Sequence, residues 1–170
     1  MLPDSKMKRP KIKVPFSSFE LWLEIVSWAG LVFMVLVLIN TWPSLPETIP
    51  SHFNAWGRPD GYSGKGSLIF LPAAGLLLYL MLATLRFFPH IYNFPWPITE
   101  QNAEVQYRLA IDLLAWLKAE IVWLFAYINW GSVQVALTHS KGLGTGFLII
   151  VLVGIFGTLG IYLFLANKAR

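Results

Sequence analysis

Apolar residues in this chain are gathered into four long blocks, separated by short breaks rich in proline, glycine and polar residues. The blocks lie at about 22–42, 68–88, 116–137 and 144–165. Each is close to the ~20 residues a helix needs to cross a ~30 Å hydrocarbon core. The pattern predicts an all-α fold, an integral membrane four-helix bundle forming a single domain over 1–170. Ser17 with Glu20 three residues on reads as a capping box, and Phe16 with Leu21 as a hydrophobic staple. Thr41-Trp42-Pro43 ends the first block, because proline cannot continue a helix. Ser67 is the expected cap of the second helix and Thr99 of the third. The third runs to Thr138 without a proline, too long for a bilayer alone. Its first turns carry Glu104, Arg108 and Asp112 at four-residue spacing, a ladder suited to water or headgroups.

Charge orients these helices. Of 170 residues only 13% are charged, against about 25% in soluble domains. Lys6, Lys8, Arg9, Lys11, Lys13, Arg86, Arg108, Lys168 and Arg170 fall on one side of the predicted bundle. Arg58, Lys65 and Lys141 fall on the other, with Lys118 at a boundary. The positive-inside rule then places both termini in the cytoplasm, residues 1–16 as a basic tail, and the chain as a multi-pass protein of the inner (plasma) membrane. The lipid bilayer is its expected partner and nucleic acid is not. With no cysteine, thiol chemistry and disulfides are excluded.

The break at 45–66, "LPETIPSHFNAWGRPDGYSGKG", is predicted to be a structured outward cap. Pro46, Pro50 and Pro59 restrict the backbone, Gly57, Gly61, Gly64 and Gly66 permit tight turns, and "RPDG" is a turn signal. His52, Asn54, Asp60 and Lys65 are its candidate polar residues, with Lys65 neutralising Asp60 or a headgroup. Trp56 is expected to pack towards the tops of the helices. Such a cap offers a binding surface made by His52, Phe53, Asn54, Trp56, Gly57, Pro59, Asp60, Gly61 and Lys65, since loops on a rigid scaffold carry recognition.

The same stretch resembles the signature of a bacterial membrane family with domain of unknown function 1648. It carries the Leu-Pro, Ile-Pro-x-His-Phe-Asn, Gly, Pro-Asp-Gly and Lys elements. It is also similar to the N-terminal part of the sporulation-delaying toxin immunity proteins, and "ITEQN" and "QYRLA" look like longer members. The resemblance implies an immunity-like or sensing role.

Other constellations carry less chemistry. His52, Asp60 and His139 offer enough donors for zinc, but without an H-E-x-x-H or i, i+4 His pair no metal is expected. His90 is predicted on the opposite side. No cofactor or catalytic residue is assigned, because no nucleophile is paired with a base. Glu20, Glu24, Asp112, Lys118 and Glu120 are read as lying at the cytoplasmic ends of their spans, leaving mid-membrane free of charge. Lys118 has no acid one turn away, so Glu24 is its expected partner in a membrane ion pair. Gly154, Gly157 and Gly160 suggest close helix packing, and Asn129, Ser132 and Gln134 interhelical hydrogen bonds. The reading is a non-enzymatic protein whose cap binds a peptide, toxin, lipid or envelope partner. The alternatives are an accessory subunit of a larger complex, or an enzyme or transporter using His52, Asp60 and Lys65.

Overall fold

The computed structural model describes residues 9–170, so the start of the basic tail, before Arg9, lies outside the described residues. Four helices and a small sheet make the fold. They are α1 (Ser18–Thr41), β1 (Thr48–Phe53), β2 (Pro59–Gly64), α2 (Phe70–Leu85), α3 (Ala103–Ala136) and α4 (Phe147–Lys168). The protein is mostly helical but not all-α, because the expected cap of turns is an antiparallel β-hairpin. Thr, Ile and Phe in β1 and Tyr in β2 favour strand. Pro50 and Pro59 are tolerated because both strands of a two-stranded sheet are edges.

Three helical segments are long and apolar enough to cross a membrane: Ser18–Ser44, Lys65–Leu85 and Phe147–Lys168. This is a membrane protein in composition and in element length. α3 is longer, at 34 residues, and more polar, and it is the hub, packing against α1, α2, α4 and β1. Arg108, Lys118 and Asn129 on it find partners inside the molecule. α4 is the reverse: apolar but for Thr158 and its last turn, with only Ala166 buried, and packed on α3 alone among the helices it contacts extensively.

One face of α1, with Leu23, Ser27, Gly30, Leu31 and Met34 buried at helical spacing, meets α3. At mid-height Leu31, Met34, Tyr79, Val122 and Ala126 form a core. Glycines let backbones approach there: a Cβ on Gly30 would strike Val122, and one on Gly75 would crowd Met34. The stripe expected to do this, Gly154, Gly157 and Gly160, does not. Gly157 and Gly160 face open space, and Gly154 has only Glu120 within 4 Å.

Helix starts follow the predicted signals unevenly. Ser17 Oγ accepts from Glu20 N at 3.0 Å, as a cap should. Ser67 does not cap α2. It sits in a 3₁₀ turn, Lys65–Ile69, and its hydroxyl accepts from Ser63. Thr99 and Asn102 bond each other reciprocally, and α3 begins one residue later, at Ala103.

Candidate functional site

The hairpin stands at one end of the packed helices and the described part of the N-terminal tail at the other. Its root is apolar. Leu45 and Ile49 are buried with Leu68 and Val133, between α1, α2 and α3. Pairing runs Thr48 to Gly64, Ile49 to Ser63 and Pro50 to Tyr62, then slips twice, so Ser51 and Asp60 have no cross-strand partner. Bulges re-aim side chains. Here they bring His52 Nδ1 to 2.5 Å from Asp60 Oδ1, with both side chains exposed, at 71% and 43%. Gly61 is required opposite His52, since a Cβ there would come within 2.9 Å of the His52 Cβ.

The tip is made by Asn54. Its carbonyl accepts from Gly57 N, and its side-chain oxygen accepts from the backbone N–H groups of Trp56 and Arg58, at 3.0 and 3.1 Å. Gly57 has φ +71°, a left-handed conformation that costs a residue with a side chain about 1–2 kcal/mol. Its carbonyl accepts from Leu143 N at 2.8 Å, clasping the tip to the loop between α3 and α4. A Cβ on Gly57 would meet the Gly144 oxygen at 2.5 Å, and one on Gly142 would strike the Gly57 carbonyl. "GLGTG" is therefore the socket for the hairpin tip. No local pattern advertises that contact, because its two halves lie in loops some 85 residues apart.

Two expectations for the cap are corrected. Trp56 does not pack towards the helices; it is 66% exposed, beside a tip whose Gly57 is held by the 140–145 loop. Lys65 does not pair with Asp60. Its Nζ lies 2.8 Å from Glu47 Oε1, its backbone N–H donates to the Glu47 carbonyl, and it closes the hairpin base. Phe53 is half-buried, and Pro59 pairs with it across the strands. An open cleft of about 590 Å³ lies between the tip and the 140–145 loop, edged by Trp56, Arg58 and Lys141. Among the described residues no group of three or more His, Asp or Glu is placed to hold a metal.

The charged groups of the helices are distributed differently. Glu20, 1% exposed, receives Arg86 at 2.6 and 3.2 Å and Arg108 at 3.3 Å. It is thus the acceptor of two guanidiniums instead of a capping-box side chain, and Arg108 turns inward instead of forming a solvated ladder. Arg86 also donates to the Val14 carbonyl, and Arg108 to that of Pro15. Arg9 donates to the carbonyls of His90 and Tyr92, and Tyr107 to that of Pro10. Together they strap residues 9–16 to the helices. Burial pushes the Tyr92 phenol up to about 12, with Arg86 opposing and Glu20 adding. Glu24 accepts from Lys118 and, at 2.6 Å, from Tyr79, so both of its oxygens are engaged. In α3, Asn129 Nδ2 donates to the Leu68 carbonyl at 3.2 Å.

Residues 29–76, from within α1 through the hairpin into α2, match the family described as "Domain of unknown function (DUF1648)". An "Uncharacterized protein" of Archaeoglobus fulgidus is 36% identical over 63 residues, which cover 32% of this chain and 34% of that protein. The chain thus matches about a third of the length of that curated relative. No solved structure matches the chain.

Proposed function

We propose that this is a four-span protein of the plasma (inner) membrane, both termini cytoplasmic, whose outward hairpin recognises a peptide or protein partner without catalysing a reaction. α3 serves as the fourth span. It runs beside α1 and α2, and within it Lys118 meets Glu24 and the Asn129 amide donates to the Leu68 carbonyl instead of facing lipid. The Lys/Arg asymmetry supports the orientation.

The observation that carries the recognition reading is the clasped tip. Backbone bonds and the Gly57–Leu143 contact hold the hairpin, which leaves Trp56 and Tyr62, 66% and 61% exposed, free of any structural duty. Exposed rigid aromatics are efficient binding anchors. The flanking Arg58 and Lys141 suit an acidic group on the partner. An immunity-like role, with a toxin as that partner, rests on the family resemblance alone.

A photoreactive benzoylphenylalanine replacing Trp56, in native membranes, is expected to give a discrete adduct that Arg58→Glu with Lys141→Glu abolishes. A reporter at Gly61 is expected on the outer face. A cytoplasmic signal at Gly61 overturns the orientation, and an adduct indifferent to both charge reversals overturns the choice of surface.

A further inference from the structure

Three buried or half-buried glutamates face the interior of the bundle, and they are treated differently. Glu20 has two arginines, and Glu24 has Lys118 and Tyr79. Glu120 has no cation among the described residues. Its Oε1 accepts from Trp116 Nε1 at 2.9 Å and from Thr158 Oγ1 at 2.6 Å, both neutral donors. Its Oε2 is buried with no hydrogen-bond partner among the described residues. Nor is Glu120 at an end. Thr158 is the twelfth of the 22 residues of α4, one of the segments long enough to cross a membrane. The stagger of α3 against α4 therefore carries this carboxylate to mid-membrane depth, where the sequence reading expected no charge. A carboxylate there is costly unless something positive comes to it.

The surroundings suit an incoming cation. Glu120 lines a groove of about 510 Å³ between α3 and α4, in the size range of about 300–1,000 Å³ typical of small-molecule sites. Its walls are apolar, and Trp123 and Tyr127 are among them. Aromatic faces attract ammonium groups, and neither of these two rings carries a resident cation among the described residues. Gly154 keeps the opposite wall low: a side chain there would have ordinary room, with only Glu120 Oε1 nearby at 3.8 Å.

The geometry points to a ligand site, entered from the lipid, for a hydrophobic amine: its ammonium paired with Glu120 and its apolar body laid along α4 past Gly154. Charge complementarity selects the occupant, since an alcohol or a fatty acid leaves the carboxylate without a counter-ion.

The test is native mass spectrometry of the whole chain in detergent, titrated with dodecylamine, dodecanol and dodecanoate. One dodecylamine per chain is expected, with the two controls at least tenfold weaker. Glu120→Gln keeps an oxygen for Trp116 and Thr158 but no charge, and is expected to weaken dodecylamine at least tenfold. Gly154→Leu, which favours the helix and fills the groove, is expected to do the same with the carboxylate intact. Should Glu120→Gln fail to fold, Gly154→Leu carries the test. Equal binding of amine and alcohol, undiminished amine binding in whichever variant folds, or a dimer of the chain that closes the groove would each overturn the proposal.

Discussion

The two ends of the packed helices are secured by opposite means. At the tail end the strap depends on side-chain charge. Glu20, nearly inaccessible, draws Arg86 and Arg108 inward, and their spare donors hold the carbonyls of Val14 and Pro15. At the hairpin end the fastening is backbone to backbone, through Gly57 and Leu143, and two glycines on the facing loop make room for it. The difference decides what remains available. A charged node uses up the side chains that form it, whereas a backbone clasp leaves its side chains unengaged. Hence Trp56, Tyr62 and the His52–Asp60 pair point to solvent, while the tail end offers mainly satisfied groups.

The largest effect should come from breaking the node. Glu20→Gln leaves two guanidiniums facing a neutral amide, and losing one partner of a buried ion pair costs about 3–5 kcal/mol. Thermal unfolding in detergent is expected to fall markedly, with earlier proteolysis of residues 9–16. A melt matching the parent would mean that apolar packing around Val14 and Tyr107 holds the strap.

Gly57→Ala should come next, at about 1–3 kcal/mol, from left-handed strain and the approach to Gly144. Its signature is local. Exchange of the Leu143 amide should quicken while amides of α1 and α3 keep their protection. Uniform loss of protection would show that the clasp supports the whole bundle and not only its tip.

Tyr92→Phe tests the tail end by pH. The Tyr92 hydroxyl donates to the Leu85 carbonyl at 2.8 Å, a bond worth about 1 kcal/mol. Burial favours the neutral phenol, so its folded value lies above the unfolded one of about 10. The stabilisation it brings is complete below about 10 and is lost as pH rises towards 12. Tyr92→Phe should therefore be less stable than the parent at pH 8 and lose less between pH 10 and 12. Parallel curves would remove Tyr92 as the titrating group.

The smallest effect should be that of His52→Ala or Asp60→Ala. An exposed contact between two polar side chains is worth at most about 1 kcal/mol. Melts of either variant should nearly superimpose on the parent's. A loss as large as that of Gly57→Ala would make the pair part of the fastening and shrink the surface left for a partner.

Much of this architecture is local, and what is local is legible. Apolar blocks of spanning length, Ser17 ahead of α1, and the proline and glycine content of 45–66 are properties of neighbouring residues. They determine three apolar helices of spanning length and a connector with defined structure. The hairpin itself was less visible: its strands are six residues each and interrupted by two bulges, so no clean alternation advertises them. What only the tertiary structure decided are the pairings between distant positions. Glu20 is a plausible capping residue until Arg86 and Arg108 arrive from 66 and 88 positions away. Lys65 has two acids within reach in sequence, and the strand register gives it Glu47. Glu120 looks terminal when counted along the apolar block at 116–137, yet it is the eighteenth of the 34 residues of α3, and the stagger of that helix against the 22-residue α4 sets its depth. Hydrophobicity and turn chemistry act over a few residues and need no fold to be read, whereas a charge is defined by whatever the fold brings beside it.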